Sequence, residues 1–485
     1  MPRPRILLVN PNRMRPPIAP IGLEYVAAAL ARSGYEPVLG DLSFAVDWRQ
    51  DLTANVEEVA PNAIGVTVRN LDDAYFASQD FVLETTRDVV AHIRGLTPAP
   101  VVLGGVGFSI APKEILAYVG AQYGIAGDGE FAFPQLLDCL ASDGDPATIP
   151  GAVFHTSGNG VVTMPPDLLD LVTMPTPRRR VADNPRYFTE GGQAGVETKR
   201  GCDQSCIYCV DPIAKGRRSR LRAPVSVVEE FQDLLEQGID VLHLCDCEFN
   251  LPPEHARAVC EALIARGLGD KIRWYTYASP KPFDTDLAKT MARAGCLGIN
   301  FGVDHADPDM LRRLGRRYGL ETLRPVAHAC RSAGLAVMFD TLLGGPGETK
   351  ESLARALEFL RNTDVDRVGL SCGVRVYPYT PLARLVRHQG PLDSNPHLHG
   401  ARENNDDLLR PVFYVDAAVG DDIHAYVWQL VKGDRRFLAA DPRQSDRNYN
   451  YNDNSTLANA IRAGARGAYW DILRQLPDAH ADAKA

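Results

Sequence analysis

Apolar residues gather in short blocks along the first 140 positions: Ile6-Leu7-Leu8-Val9, then 63–68 and 100–103. Each block is too short for a helix and long enough for a buried strand. Between them lie two segments with helical spacing, 21–33, which closes at Gly34, and 81–94. Apolar strands separated by helices are the pattern of a parallel sheet covered on both faces. A doubly wound, Rossmann-like sheet is therefore expected over 1–140, with a ligand beyond its strand carboxyl ends, near Asn10, Arg69 and 104–107.

Residues 141–192 interrupt the rhythm with Pro, Gly, Ser and Asp, and read as a linker with a hairpin around Asn159-Gly160. From 193 to 385 the alternation returns, with strands expected at 195–198, 241–244, 272–277, 297–303, 335–343 and 368–377. Six such strands fit a partial (β/α)6 barrel of TIM type with its site at the strand carboxyl ends. Past 385 the chain turns polar. A small mixed C-terminal domain is expected over 386–485, with a helix at 456–476. The fold class is α/β throughout.

Composition narrows the partners. Hydrophobic residues at 45% and charged residues at 23% mark a folded chain. No apolar run approaches the ~20 residues of a membrane span. The basic start, Met1 to Arg5, precedes only four apolar residues, too few for a signal peptide, so a cytoplasmic location is expected. A net charge of −9 argues against nucleic acid and is compatible with a cationic small molecule. Ten cysteines in 485 residues do not make a secreted disulfide scaffold. Those at 139, 260, 296, 330 and 372 read as small buried hydrophobes.

Cys202, Cys206 and Cys209 differ, because they fall on one short loop directly after the first barrel strand. Three thiolates so placed can hold three irons of a four-iron cluster and leave the fourth open for chemistry. A closed zinc site would need a second pair of ligands, and none stands at a suitable distance. Cys245-Asp246-Cys247-Glu248-Phe249-Asn250 ends the second barrel strand. If the strand continues, Asp246, Glu248 and Asn250 share one face, toward the barrel mouth, and Cys245 and Cys247 the other. A solvated loop end is the alternative, as is a second cluster on the two cysteines. The same parity groups Asn300, Gly302 and Asp304, and pairs Arg375 with Tyr377. Arg375 is the expected carboxylate binder.

The Cys-x3-Cys-x2-Cys loop, with Tyr208 before its last cysteine, resembles that of the radical S-adenosylmethionine (SAM) superfamily. The resemblance extends through 244–250, Gly302 to Asp307 with Leu314-Gly315-Arg316, Leu343 to Thr349, and Val374 to Pro378. It implies a 4Fe–4S cluster that binds and reductively cleaves SAM, with Tyr208, Asp246, Glu248, Asn250, Asp304, Arg316, Arg375 and Tyr377 around the two cofactors. Residues 1–140 resemble the cobalamin-binding domain of one subclass. The Asp-x-His-x-x-Gly motif is absent, as it generally is in that subclass's methylases. Arg69, Asp72 and Asp73 stand where small or hydroxyl residues are expected, so the domain is read as empty of cobalamin.

A narrower resemblance, through Arg69 to Asp73, 246–250 and 448–454, is to the radical SAM diol dehydratases of aminoglycoside biosynthesis. It implies a lyase that removes water from a vicinal diol of a cationic, paromamine-like aminosugar. Glu248, Asp340, His305 and Asp453 are the candidate acids and bases. It also implies a flavodoxin- or ferredoxin-type reductant and a downstream NAD(P)H ketoreductase. The rival readings are a cobalamin-dependent radical SAM methylase and a non-catalytic iron–sulfur scaffold.

Overall fold

The computed structural model describes residues 3–476 apart from 157–159, 173, 175, 421 and 440–453. The first sheet has seven strands. Glu36–Asp41, Arg5–Asn10, Ala63–Thr67, Val101–Gly104 and Tyr123–Ile125 run parallel in that spatial order. Ala152–His155 and Val161–Thr163 then extend it antiparallel. The interior strand Arg5–Asn10 is buried over five of its six residues, as its apolar block requires. Glu36–Asp41 is half-exposed and punctuated by Pro37 and Gly40, so it carries no apolar block to betray it. The segment read as linker holds the two added strands and the helix Asn184–Gly191, so low hydrophobicity there reflects an edge and not a tether.

The second sheet is a row of seven parallel strands. Ala194–Val196, Val241–Leu244, Arg273–Ala278, Cys296–Asp304, Ala336–Leu343, Arg367–Cys372 and Phe437–Ala439 follow one another in chain order. The strand expected at 368–377 breaks at Gly373, whose φ of 81° turns the chain out of the sheet. Val374–Arg375 pairs instead with Val412–Tyr414 in a small antiparallel sheet. The expected helix at 456–476 is two helices, Ser455–Arg462 and Tyr469–Gln475, parted by Gly464 and Gly467 at positive φ.

A buried ionic network fastens the two large sheets' helical layers together. Arg179 is fully buried and pairs with Glu24 on the helix Ile21–Arg32 and, at 2.8 Å, with Glu230 on the helix Pro224–Glu236. Arg222 Nη1 reaches Glu230 at 2.7 Å, and the Tyr25 hydroxyl donates to the same carboxylate. Two guanidinium groups against two carboxylates neutralise each other, which such burial demands.

Candidate active site

The cysteine loop is pinned on three sides. At its base Lys199–Arg200 pairs antiparallel with Arg220–Leu221, and the Cys202 amide donates to Gly216 O at 3.0 Å. The Ile207 amide donates to Leu314 O and the Ser205 hydroxyl to Gly315 O, while Ile207 O accepts from the Leu382 amide. Gly315 has φ 84°, and a Cβ there would stand 2.3 Å from Ser205 O, so only glycine lets the two loops touch. Cys202, Cys206 and Cys209 thereby line one cavity of about 240 Å³ at the barrel mouth, with Glu248, Asn300, Asp304, Arg316 and Asp340. Burial pushes the Cys206 thiol up to about 12. A hydrogen bond from Cys247 lowers Cys202 more than burial raises it.

Arg316 organises the polar side of the cavity. It donates from Nε to Asp304 at 2.6 Å, from Nη1 to Glu248 Oε1 at 2.9 Å and from Nη2 to Gly302 O at 2.7 Å. The Tyr208 hydroxyl also donates to Asp304, at 2.6 Å. Among the described residues lining this cavity, two buried acceptors have no hydrogen-bond partner: Glu248 Oε2 and Asn300 Oδ1. Buried polar atoms are seldom left so. Both face this cavity, so a ligand rich in donors fits it, as the ammonium and ribose hydroxyls of SAM are. Asn300 was missed as a site residue in the sequence; its parity with Asp304 was the available signal.

Other expected site residues stand elsewhere. The strand ends at Leu244, so the face assumed for 246–250 does not form. Asp246 accepts from the Thr198 amide and hydroxyl and the Lys199 amide, tying down the start of the cysteine loop. Asn250 is fully buried and fixes Ser279 and Pro282. Arg375 and Tyr377 leave the cavity because of the break at Gly373, and both bind Asp72. His305 is fully buried against Glu348 at 2.6 Å and does not line the cavity. Asp453 lies outside the described residues. Cys245 and Cys247 face different cavities and so do not form a pair.

The second cavity, about 360 Å³, lies where the first sheet's strand ends meet the barrel. Its floor is Asn10, Thr67, Arg69, 104–106 and 127–130; its barrel wall includes Gly195, Glu197, Arg200, Lys215 and Cys245. Leu8, Val26, Val102, Ile125 and Phe133 make it largely apolar, and a Cβ on Gly104 would meet no atom closer than 4.0 Å. Arg200 bridges the two halves, reaching Asp128 at 2.9 Å and Glu130 at 2.6 Å. Burial would raise the Asp128 carboxyl, but Arg200 and Arg220 outweigh it and hold it below its ordinary value. A broad apolar cleft with a rim of amide, hydroxyl and charged groups fits a corrin ring edged with amides.

Residues 196–360 match the radical SAM superfamily and residues 13–137 the B12 binding domain. The chain belongs to the radical SAM superfamily and carries a B12-binding domain ahead of its radical SAM core; a 4Fe–4S cluster and SAM are its cofactors. It is 32% identical to the tryptophan 2-C-methyltransferase of Streptomyces laurentii, over 82% of this chain and 77% of the relative. Its fold is similar to that of the radical SAM methyltransferase TsrM from Kitasatospora setae solved with tryptophan and aza-SAM, with a TM-score of 0.91, 32% identity and 97% of each chain covered. The same enzyme solved with cobalamin and a [4Fe–4S] cluster gives a TM-score of 0.88 at 31% identity, again over 97% of each chain.

These relatives overturn two expectations. They are methyltransferases, so the diol dehydratase reading, with its lyase chemistry and aminoglycoside setting, is corrected. The B12 binding domain and the cobalamin-bound structure stand against a domain empty of cobalamin. Among the described residues no helix is long and apolar enough to cross a membrane.

Proposed function

We propose that this protein is a cobalamin-dependent radical SAM methyltransferase that places a methyl group on a carbon of a tryptophan-like amino acid. The observation that carries the reading is its likeness, over 97% of both chains, to a methyltransferase solved with tryptophan and a SAM analogue. The largely apolar cavity between the first sheet's strand ends and the barrel, beside the one lined by the three cysteines, supports it. In net terms SAM gives up its methyl group to become S-adenosylhomocysteine, and the substrate carbon exchanges a proton for that methyl. When bound, cobalamin supplies a carrier for the methyl group and the cluster supplies single electrons.

The chain's own residues divide the remaining work. Cys202, Cys206 and Cys209 hold the cluster. Glu248 and Asn300 take the donors of SAM, and Arg316 faces its carboxylate. Asp340 accepts the proton released by the substrate carbon. Asn10, Thr67, Glu197 and Lys215 meet the corrin's amide edge. Asp211, Glu248, Asp304 and Asp340 line the cavity against the single guanidinium of Arg316 among its described residues, which favours a substrate carrying an ammonium group. A flavodoxin- or ferredoxin-type protein is the electron source.

The test is anaerobic incubation of protein reconstituted with iron, sulfide and hydroxocobalamin, using trideuteromethyl-SAM and L-tryptophan with ring-substituted analogues. One trideuteromethyl group gained per S-adenosylhomocysteine formed is the expected result. Methyl transfer without cobalamin, or loss of water without gain of a methyl group, overturns the reading.

A further inference from the structure

Two arginines at the base of the cysteine loop reach across to the floor of the second cavity. Lys199–Arg200 pairs antiparallel with Arg220–Leu221, with Arg200 opposite Arg220. Arg200 Nη1 reaches Asp128 Oδ1 at 2.9 Å, its Nη2 reaches Glu130 Oε1 at 2.6 Å, and its Nε reaches Glu197 Oε2 at 3.0 Å. Arg220 grips Asp128 as well, and its Nη2 donates to Lys215 O at 3.0 Å. The side chains of Arg200, Asp128 and Glu130 are no more than 10% exposed. Asp128 and Glu130 stand at the start of the helix Gly129–Ala141 and line the second cavity, as Arg200 itself does. Cys202 follows Arg200 by two positions, and its amide is held by Gly216 O at 3.0 Å. One short hairpin therefore touches both cavities.

We propose that Arg200 and Arg220 are positioning residues that couple the two cofactors. A cluster on the cysteine loop sets the hairpin, and the hairpin sets the 127–130 loop on which cobalamin rests. This stands on the reading that the second cavity holds cobalamin. Without iron, Cys202, Cys206 and Cys209 are three separate thiols, and hydrogen bonds alone keep their loop in place. With the cluster they are cross-linked into one body, and the strand carrying Arg200 loses its freedom. Buried ion pairs feel such a change strongly, because charges drawn apart regain neither each other nor water. The coupling is reciprocal, so cobalamin in turn favours the loop that holds iron. The alternative is a structural clamp that steadies the fold equally whether or not either cofactor is bound.

The experiment is equilibrium dialysis of hydroxocobalamin against the full-length protein, once free of cluster and once reconstituted with iron and sulfide. Wild type should bind cobalamin about tenfold more tightly with the cluster present, the scale of ordinary coupling between sites. In Arg200→Met that ratio should fall toward one. Glu130→Gln keeps the side chain's shape but removes its charge, and should lower the ratio part of the way. A structural clamp would instead weaken cobalamin equally in both forms and leave the ratio as it was. A wild-type ratio near one overturns the proposal. So does an unchanged ratio in Arg200→Met or, should that variant misfold, in Glu130→Gln. A wild-type protein that takes up no cobalamin in either form would defeat the cofactor reading, and the coupling with it.

Discussion

Arg375 donates from Nε to Asp72 Oδ2 across 2.8 Å, joining the small sheet beside the barrel to the loop that follows Arg69 in the first sheet. The pair is buried, with side-chain exposures of 4% and 0%, and Tyr377 gives Asp72 a second donor at 3.1 Å. Arg375 also reaches the carbonyls of Val376, Leu408 and Leu409, so one guanidinium holds three segments together. The loop it anchors forms part of the corrin cavity's edge, through Arg69 and Asn70.

Breaking this pair should loosen the cobalamin cleft more than the cluster. Arg375→Met leaves Asp72 buried without its cation, a loss of about 3–5 kcal/mol of stability. Expected are a lower melting temperature and weaker retention of hydroxocobalamin on gel filtration, with iron content unchanged. The double variant Asp72→Asn with Arg375→Met should recover part of the stability. Full cobalamin retention in the single variant would refute this role.

The same pair explains where the sequence was and was not readable. The cysteine loop was legible because Cys202, Cys206 and Cys209 lie close together on one loop, and the fold brings all three to one cavity. Arg375 is expected to bind a ligand's carboxylate because strand parity is carried across Gly373; the backbone leaves the sheet there, and Arg375 binds the protein's own Asp72 instead. The sequence reading leaves cobalamin out because Arg69, Asp72 and Asp73 stand where a corrin is expected to meet small residues, and of these Arg69 does line the cavity. In the fold Asp72 turns to Arg375 and Asp73 to the Tyr75 amide and the Ser78 hydroxyl. His305 has its partner Glu348 43 residues away, and no local pattern announces that contact.

Glu248 and Asn300 should govern SAM binding and not stability. Each has a buried acceptor awaiting a donor. Replacing either, as Glu248→Gln or Asn300→Leu, should weaken SAM about tenfold, the scale of one charge-assisted or buried hydrogen bond. Isothermal titration of reconstituted protein with SAM measures this. Wild-type affinity in both variants would mean that the ligand's donors lie elsewhere.

His243 makes acid stability dependent on one imidazole. Burial pushes it down to about 4, against a hydrogen bond with Leu244 O that acts to raise it. Between that value and about 6.5 the unfolded chain binds a proton that the folded one does not. Stability is therefore complete above this window and falls as pH drops through it. Urea unfolding at several pH values should show a shallower loss for His243→Gln than for wild type. Parallel curves would assign the acid sensitivity to other groups.

Gly201 should be as necessary to the cluster as the cysteine beside it. Its φ is 90°, and a Cβ there would lie 2.0 Å from Arg218 O, across the hairpin that closes the loop. Neither backbone can yield without moving Cys202, whose amide is bonded to Gly216 O in the same hairpin. Gly201→Ala is expected to keep the fold, since the strain is confined to that loop, but to lose most of its iron and the cluster's visible absorbance. Gly95→Ala is the control, in the helix Leu83–Leu96, where an added Cβ meets nothing within 4 Å. Full cluster loading in Gly201→Ala would show that the loop tolerates the displacement and that its shape is set by the cysteines and the iron they hold.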